Sequence, residues 1–238
     1  MPAVPPDPSP PAAYDTFAEA YAAENESSLF NAWYERPEML RLAGEVTGLA
    51  VLDAGCGSGP LASALHERGA RVTGLDASAA MVGLARRRLG QDADVRVGDL
   101  REPLPFDDGA FDLVVASLVL HYLQDWSGPL AELRRVLRPG GRVLVSVNHP
   151  GAYPIVYPRA DYFALTEYSE DYTFAGQKAV LTFWHRPLSA MAEAFAGAGL
   201  RISTITEPSP TPDTPAELLP PMRGRAFIGF LFFVLEPA

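Results

Sequence analysis

Three carboxylates and a run of glycines have the clearest capacity for chemistry in this 238-residue chain. Asp53 ends the apolar run Val51-Leu52 and stands directly before a turn carrying Gly55, Gly57 and Gly59. Those glycines remove the Cβ atoms that would keep a ligand off the backbone, and they permit the positive φ that a tight strand-to-helix turn requires. A helix over about 60–68 would direct its N-terminal N–H groups at that turn. Asp76 ends a second strand-like stretch, residues 71–75, where a carboxylate takes the two hydroxyls of a ribose. Asp99 follows a third, 95–97, within Gly98-Asp99-Leu100. The third glycine comes one residue early for a dinucleotide fingerprint. Asp53 would also repel a pyrophosphate, and suits a cationic, phosphate-free ligand.

Residues 51–59, Asp76, Gly98-Asp99-Leu100, Phe111-Asp112-Leu113-Val114 and Leu137-Arg138-Pro139-Gly140-Gly141, in this order and spacing over roughly 45–150, resemble the class I S-adenosylmethionine-dependent methyltransferases of the small-molecule branch. The resemblance implies that Asp53, Gly55, Gly57, Asp76, Ala77, Asp99, Leu100 and Ser117 hold S-adenosylmethionine. Asp99 would accept from the adenine amino group and Leu100 would donate its backbone N–H to the ring. Met81 matches a position packed on the adenine, and ordinary core packing explains it nearly as well. Tyr21 and Arg36 belong to an N-terminal lid, near the methionine carboxylate or the substrate mouth; packing for Tyr21 and solvation for Arg36 are equal alternatives.

Methyl transfer from a sulfonium needs alignment, exclusion of water and, for an acidic acceptor, removal of a proton. Candidate bases and acceptor-positioning groups are His149, His121, His185 and Asn148. His149 ranks first, because the fifth strand delivers Asn148 and His149 to the crevice together. Asn148 and His185 could instead pair as a hydrogen-bond partner and a ring over a cation. Tyr14, Trp33, Tyr153, Tyr157 and Trp184 are the expected acceptor-binding residues, from the lid and from an aromatic stretch over 151–184. That stretch favours a small, partly apolar or cationic acceptor. Ala116-Ser117-Leu118-Val119 stands where adenine and glutamine methyltransferases carry Asn/Asp-Pro-Pro-Tyr/Phe, so amino methylation of nucleic acid is not expected. No metal is expected either.

Periodicity gives the alternating strands and helices that must position these groups, and the resemblance implies how they are arranged, including the reversed last strand. The chain is expected to be α/β, a Rossmann-like, seven-stranded, mostly parallel doubly wound sheet with an antiparallel last strand. An N-terminal helical lid (14–44) and a cap insertion after strand 5 (151–184) complete one methyltransferase domain over 14–238, behind a disordered, proline-rich leader at 1–13. Further strands are expected at 111–117, 142–147, 180–184, 200–205 and 226–235. Arg138 to Gly141 reads as a compact turn, and Ser78 as the cap of the helix through Met81 and Leu89.

A net charge of −10 argues against a nucleic-acid partner, since phosphate binders need a basic surface. The single cysteine, Cys56, excludes a disulfide framework within one chain. No apolar run reaches membrane-spanning length. A cytoplasmic monomer or homodimer with a small-molecule substrate is the expectation. Two other functions stay open: S-adenosylmethionine as sole substrate, cyclised to azetidine-2-carboxylate with release of methylthioadenosine, and a non-catalytic S-adenosylmethionine-binding protein.

Overall fold

The computed structural model describes residues 14–221 and 223–238, so the leader expected over 1–13 lies outside the described residues. Strand β1 (Ala50–Ala54) lies between two parallel partners, β2 (Arg71–Asp76) and β4 (Phe111–Ser117). Strand β3 (Val95–Val97) extends the sheet beyond β2, and β5 (Leu137–Asn148) extends it beyond β4. Strand β9 (Phe230–Pro237) runs antiparallel between β5 and β8 (Leu200–Thr206). The resulting order, β3-β2-β1-β4-β5-β9-β8, is the expected seven-stranded sheet with an antiparallel last strand. Strand order reverses between β1 and β4, which opens a crevice beyond their C-terminal ends.

The two-residue period of a strand divides this sheet between two cores. Leu52, Val114, Val143, Val145 and Phe233 pack on one face with Trp126, Leu130, Leu133 and Phe195. Those last residues come from α5 (Ser127–Val136), the turn before it and α7 (Leu188–Gly197). Val51, Leu113, Val115, Leu144 and Phe232 face the other way, onto Met39 and Ala43 of α2 (Arg36–Ala43) and Leu61 and Leu65 of α3 (Pro60–Glu67). Both faces are covered, as apolar parallel strands require.

The lid comprises α1 (Ala18–Asn25), a π-helical turn (Asn31–Glu35) and α2, with Pro37 in the first turn of α2 as expected. The Tyr34 hydroxyl fixes the lid to the sheet by accepting from Gly229 N–H at 3.1 Å. Helix α4 (Ala79–Leu89) is capped by Ser78, whose Oγ accepts from Met81 N–H at 3.1 Å.

Three boundaries differ from the expectation. The 138–141 segment is a bulge inside β5 rather than a turn before it, because Phe111 pairs with Leu137 while Leu113 already pairs with Arg142. Strand β9 begins at Phe230 rather than Ala226, where pairing with Asn148 starts. The cap carries a short helix, α6 (Tyr153–Val156), and a full hairpin, β6 (Thr166–Phe174) with β7 (Gln177–His185), where a single short strand was expected. Its turn is Ala175-Gly176, both at positive φ (47° and 84°), the geometry that matches strand twist. Alanine at that position carries no asparagine-glycine signal, so the hairpin was not legible locally.

Candidate active site

The glycine turn after β1 forms the floor of a first cavity. Gly55 and Gly57 both have positive φ (85° and 54°), and for different reasons. A Cβ on Gly55 would lie 2.5 Å from Val119 Cγ2, so that glycine lets the turn pack on the chain leaving β4. A Cβ on Gly57 would meet no protein atom within 4 Å and would occupy a position on the cavity lining. G57A is therefore expected to cost about 1 kcal/mol of stability while lowering S-adenosylhomocysteine affinity at least tenfold; G55A should lower the melting temperature more. Calorimetric titration and thermal unfolding of both variants check the contrast.

Asp53 lies at the base of this cavity, 1 % exposed, and among the described residues neither carboxylate oxygen has a hydrogen-bond partner within normal geometry. Burial, reinforced by Glu35 and Asp76, pushes its pKa up to about 8. Among the described residues no cationic side chain pairs with this group, and the Ala62 backbone only partly offsets the burial, which fits a cationic ligand. Asp76 accepts from Gly57 N–H at 2.8 Å and Ser78 N–H at 2.9 Å, so it ties the two βα turns together while lining the cavity. Asp99 is held by Arg101, through its backbone N–H at 2.9 Å and its Nε at 3.0 Å. Tyr21, Arg36, Ala77, Met81, Leu100 and Ser117 complete the wall, so all the residues named from the sequence for the cofactor line one space. Arg36 is anchored by Asn25, whose Oδ1 accepts from its guanidinium at 2.7 Å.

The sequence reading missed Glu35. It is 3 % exposed and accepts from Ser117 Oγ and Ser146 Oγ, each at 2.6 Å. The Ser117 hydroxyl is thus committed to Glu35, while burial raises the Glu35 carboxyl above its ordinary range. The π-helical turn delivers this side chain to the sheet, a register that a 3.6-residue period does not reveal. Ser146 Oγ also accepts from Leu118 N–H at 3.0 Å, beside the positive φ (48°) of Leu118. A leucine in that region is strained, and the serine and glutamate contacts hold it there.

A second cavity of about 490 Å³ lies under the cap. It collects His121, Asn148, His149, Tyr153, Tyr157, Trp184 and His185. Tyr21, Asn31, Leu118 and Tyr122 line both cavities and form the boundary between them. Tyr14 and Trp33 are not brought to the second cavity. Tyr14 lines the first, its hydroxyl bonded to that of Tyr122, and Trp33 lines neither, its carbonyl accepting from Thr211 N–H.

Hydrogen bonds separate the three histidines. Backbone N–H groups can only donate, so a ring nitrogen facing one must carry a lone pair. His121 Nδ1 accepts from Asn148 N–H at 3.1 Å, and burial pushes its pKa down to about 3; it is a neutral ring with its proton on Nε2. His149 Nδ1 accepts from Gly151 N–H at 2.9 Å and its Nε2 lies 2.6 Å from Glu207, so both nitrogens are occupied. His185 donates from Nε2 to the Tyr162 carbonyl at 2.8 Å and stacks on Tyr153 at 4.1 Å. Its Nδ1 keeps a lone pair with no hydrogen-bond partner among the described residues, and burial lowers its pKa. His149, ranked first from the sequence, is the more committed ring. Asn148 donates to Tyr168 Oη at 3.2 Å, and its Oδ1 accepts from no described residue.

Among the described residues no three or more His, Cys, Asp or Glu side chains are grouped to hold a metal ion, and no helix is long and apolar enough to cross a membrane.

Residues 52–145 match the family model described as a methyltransferase domain. The chain is 40% identical over 114 residues to the malonyl-[acyl-carrier protein] O-methyltransferase of Serratia marcescens, covering 48% of this chain and 44% of that protein. It is 32% identical over 162 residues to the ubiquinone biosynthesis O-methyltransferase of Dechloromonas aromatica, covering 64% and 68%. A solved S-adenosylmethionine-dependent methyltransferase from Mesorhizobium loti superposes with a TM-score of 0.60 at 26% identity, over 84% of this chain and 94% of that one. The chain spans about half the length of most curated relatives it matches. The matched segment begins at the strand that carries Asp53 and runs into the fifth strand, so it contains the glycine turn and all three acids of the first cavity. With the reversed last strand and an unpaired acid suited to a cationic cofactor, the chain belongs to the class I S-adenosylmethionine-dependent methyltransferases.

Proposed function

We propose that this chain transfers the methyl group of S-adenosylmethionine to a small molecule held under the cap, in specialised metabolism and in the cytoplasm. The observation that carries this reading is the shared boundary: Tyr21, Asn31, Leu118 and Tyr122 each line both cavities. A reaction between ligands in adjoining spaces must pass there. Domain 14–238 then works as one unit, with 14–44 as lid and 151–184 as cap.

When bound, the cofactor supplies an electrophilic methyl group on a sulfonium. Asp53, supported by Glu35, would face its ammonium; Asp76 would take the ribose hydroxyls, and Asp99 and Leu100 the adenine. The bonded pair Tyr14 and Tyr122 closes the lid over the first cavity and excludes water. His185 Nδ1 is placed to remove a proton from the acceptor, and Asn148 Oδ1 and the His121 Nε2 proton, which have no hydrogen-bond partner among the described residues, would orient it. Burial keeps His185 unprotonated at neutral pH, the form a base requires.

The test is mass spectrometry of purified chain incubated with S-adenosylmethionine alone and then with cell extract. Adenosylhomocysteine appearing only with extract is the expected result, and its methylated partner identifies the acceptor. Methylthioadenosine formed without extract, above spontaneous decay, would overturn methyl transfer in favour of the cofactor as sole substrate. No product under either condition would leave binding without turnover as the function.

A further inference from the structure

The cap hairpin presents one face to the second cavity, and that face has a consistent electrostatic character. Tyr168, Glu170 and Tyr172 alternate along β6 with more exposed neighbours, and all three line the cavity. Glu170 Oε1 accepts from Tyr157 Oη at 3.1 Å and Oε2 accepts from Tyr172 Oη at 2.7 Å. Burial raises both phenols, and the nearby Glu170 charge adds to it, so they stay protonated and remain donors. Opposite Glu170 on β7 stands Leu181, and no lysine or arginine forms an ion pair with Glu170 among the described residues. Among the described residues lining the cavity the only arginine is Arg186, which lies over the Trp126 ring at 4.5 Å and donates to the Gln124 carbonyl.

Around this carboxylate the rings of Tyr153, Tyr157 and Tyr168 lie with centroids 5.1 to 5.6 Å apart. Aromatic faces carry negative quadrupole potential, and an inward carboxylate adds a full negative charge. Two phenol donors orient that carboxylate but leave its charge uncompensated. A neutral ligand gains only ring contact from such a wall, and an anion is repelled by it.

We propose that the second cavity is built for an organic cation: the acceptor carries an ammonium group, protonated or quaternary, which Glu170 and the surrounding tyrosines hold while another part of the molecule meets the methyl group. This rests on the methyl-transfer reading for its biological sense, but the recognition itself is measured without turnover.

The probe is choline against its uncharged, shape-matched counterpart 3,3-dimethylbutan-1-ol, titrated by NMR into the full chain saturated with S-adenosylhomocysteine. Choline is expected to bind at least tenfold more tightly, with a preference that shrinks in high salt. Equal binding of the two, or tighter binding of the alcohol, overturns the proposal. E170Q keeps the hydrogen bonds with Tyr157 and Tyr172 but removes the charge, and should bring the preference to within about twofold. Full preference retained in E170Q overturns the role of Glu170. Unchanged affinity of E170Q for S-adenosylhomocysteine shows that the fold is intact, and the wild-type comparison decides the proposal even if that variant does not fold. Should S-adenosylhomocysteine fail to bind wild type, the cofactor reading fails instead, and the same pair of probes titrated into the ligand-free chain still decides the cage.

Discussion

Replacing Asp53 by Asn is expected to raise the melting temperature of the ligand-free chain by roughly 5 °C or more, while weakening S-adenosylmethionine binding roughly a hundredfold. Both effects have one cause. The folded chain holds Asp53 with a pKa of about 8, because burial and the neighbouring Glu35 and Asp76 oppose its charge, whereas in the unfolded chain it titrates near 4. An acid whose folded pKa is raised contributes stability that is fully present below about pH 4 and is lost as pH rises toward 8. Over that window unfolding releases a proton, and stability falls by about 1.4 kcal/mol per pH unit from this group alone. At pH 7 the folded state therefore bears a penalty on the order of 4 kcal/mol that Asn does not carry.

Other groups add to the wild-type profile. Glu35 and Asp76 are raised like Asp53, while His121 is lowered, so its contribution is lost as pH falls below about 6.5. The informative quantity is accordingly the difference between wild type and D53N: large near pH 7 and vanishing near pH 4. A cationic ligand reverses the balance, because it favours the ionised carboxylate. Binding near pH 7 should release a proton in wild type and none from this site in D53N, which calorimetry in buffers of different ionisation enthalpy measures. A D53N chain that bound with wild-type affinity would remove Asp53 from the cofactor site.

H185Q is expected to lower kcat by about 10²- to 10⁴-fold with KM changed only a few-fold, in an assay with the acceptor found in the extract experiment. Glutamine places a donor near the Nε2 position and can keep the bond to the Tyr162 carbonyl, but it offers no basic lone pair at Nδ1. Burial lowers the His185 pKa, so in wild type the active, unprotonated form should persist below pH 6.5 and the rate should stay flat there. H185Q should lose the acid limb seen at still lower pH. H149Q tests the assignment from the other side. Its ring is bonded to Glu207 and Gly151, so its replacement should cost far less. A larger loss in H149Q than in H185Q would restore His149 as the base.

These two variants mark the difference between what was legible and what was not. Asp53, Asp76, Asp99 and the glycines are placed by adjacency to strand ends, so their spacing along the chain fixes which of them meet. The choice among the histidines had no such local signature. It depends on whether a backbone N–H from Asn148 or Gly151, or a carbonyl from Tyr162, stands opposite each ring. Glu170 had no local signature either, because it lies on a hairpin strand that the sequence did not mark, and its setting depends on the facing strand.

The sequence by itself determined the strands, the cofactor turn and the three aspartates at strand ends, because these arise from strand periodicity and from residues adjoining strand ends, while the sheet's reversed last strand followed from the family resemblance. Only the tertiary structure decided which polar groups meet inside the two cavities. The π-helical turn brought Glu35 against Ser117 of β4 and Ser146 of β5, 82 and 111 residues further along the chain. The β6–β7 hairpin, closed by an alanine at positive φ, set Glu170 among tyrosines. The physical reason is the same in both cases: the fate of a buried polar group is settled by the partners that packing places within about 3 Å of it, and those partners are remote in sequence.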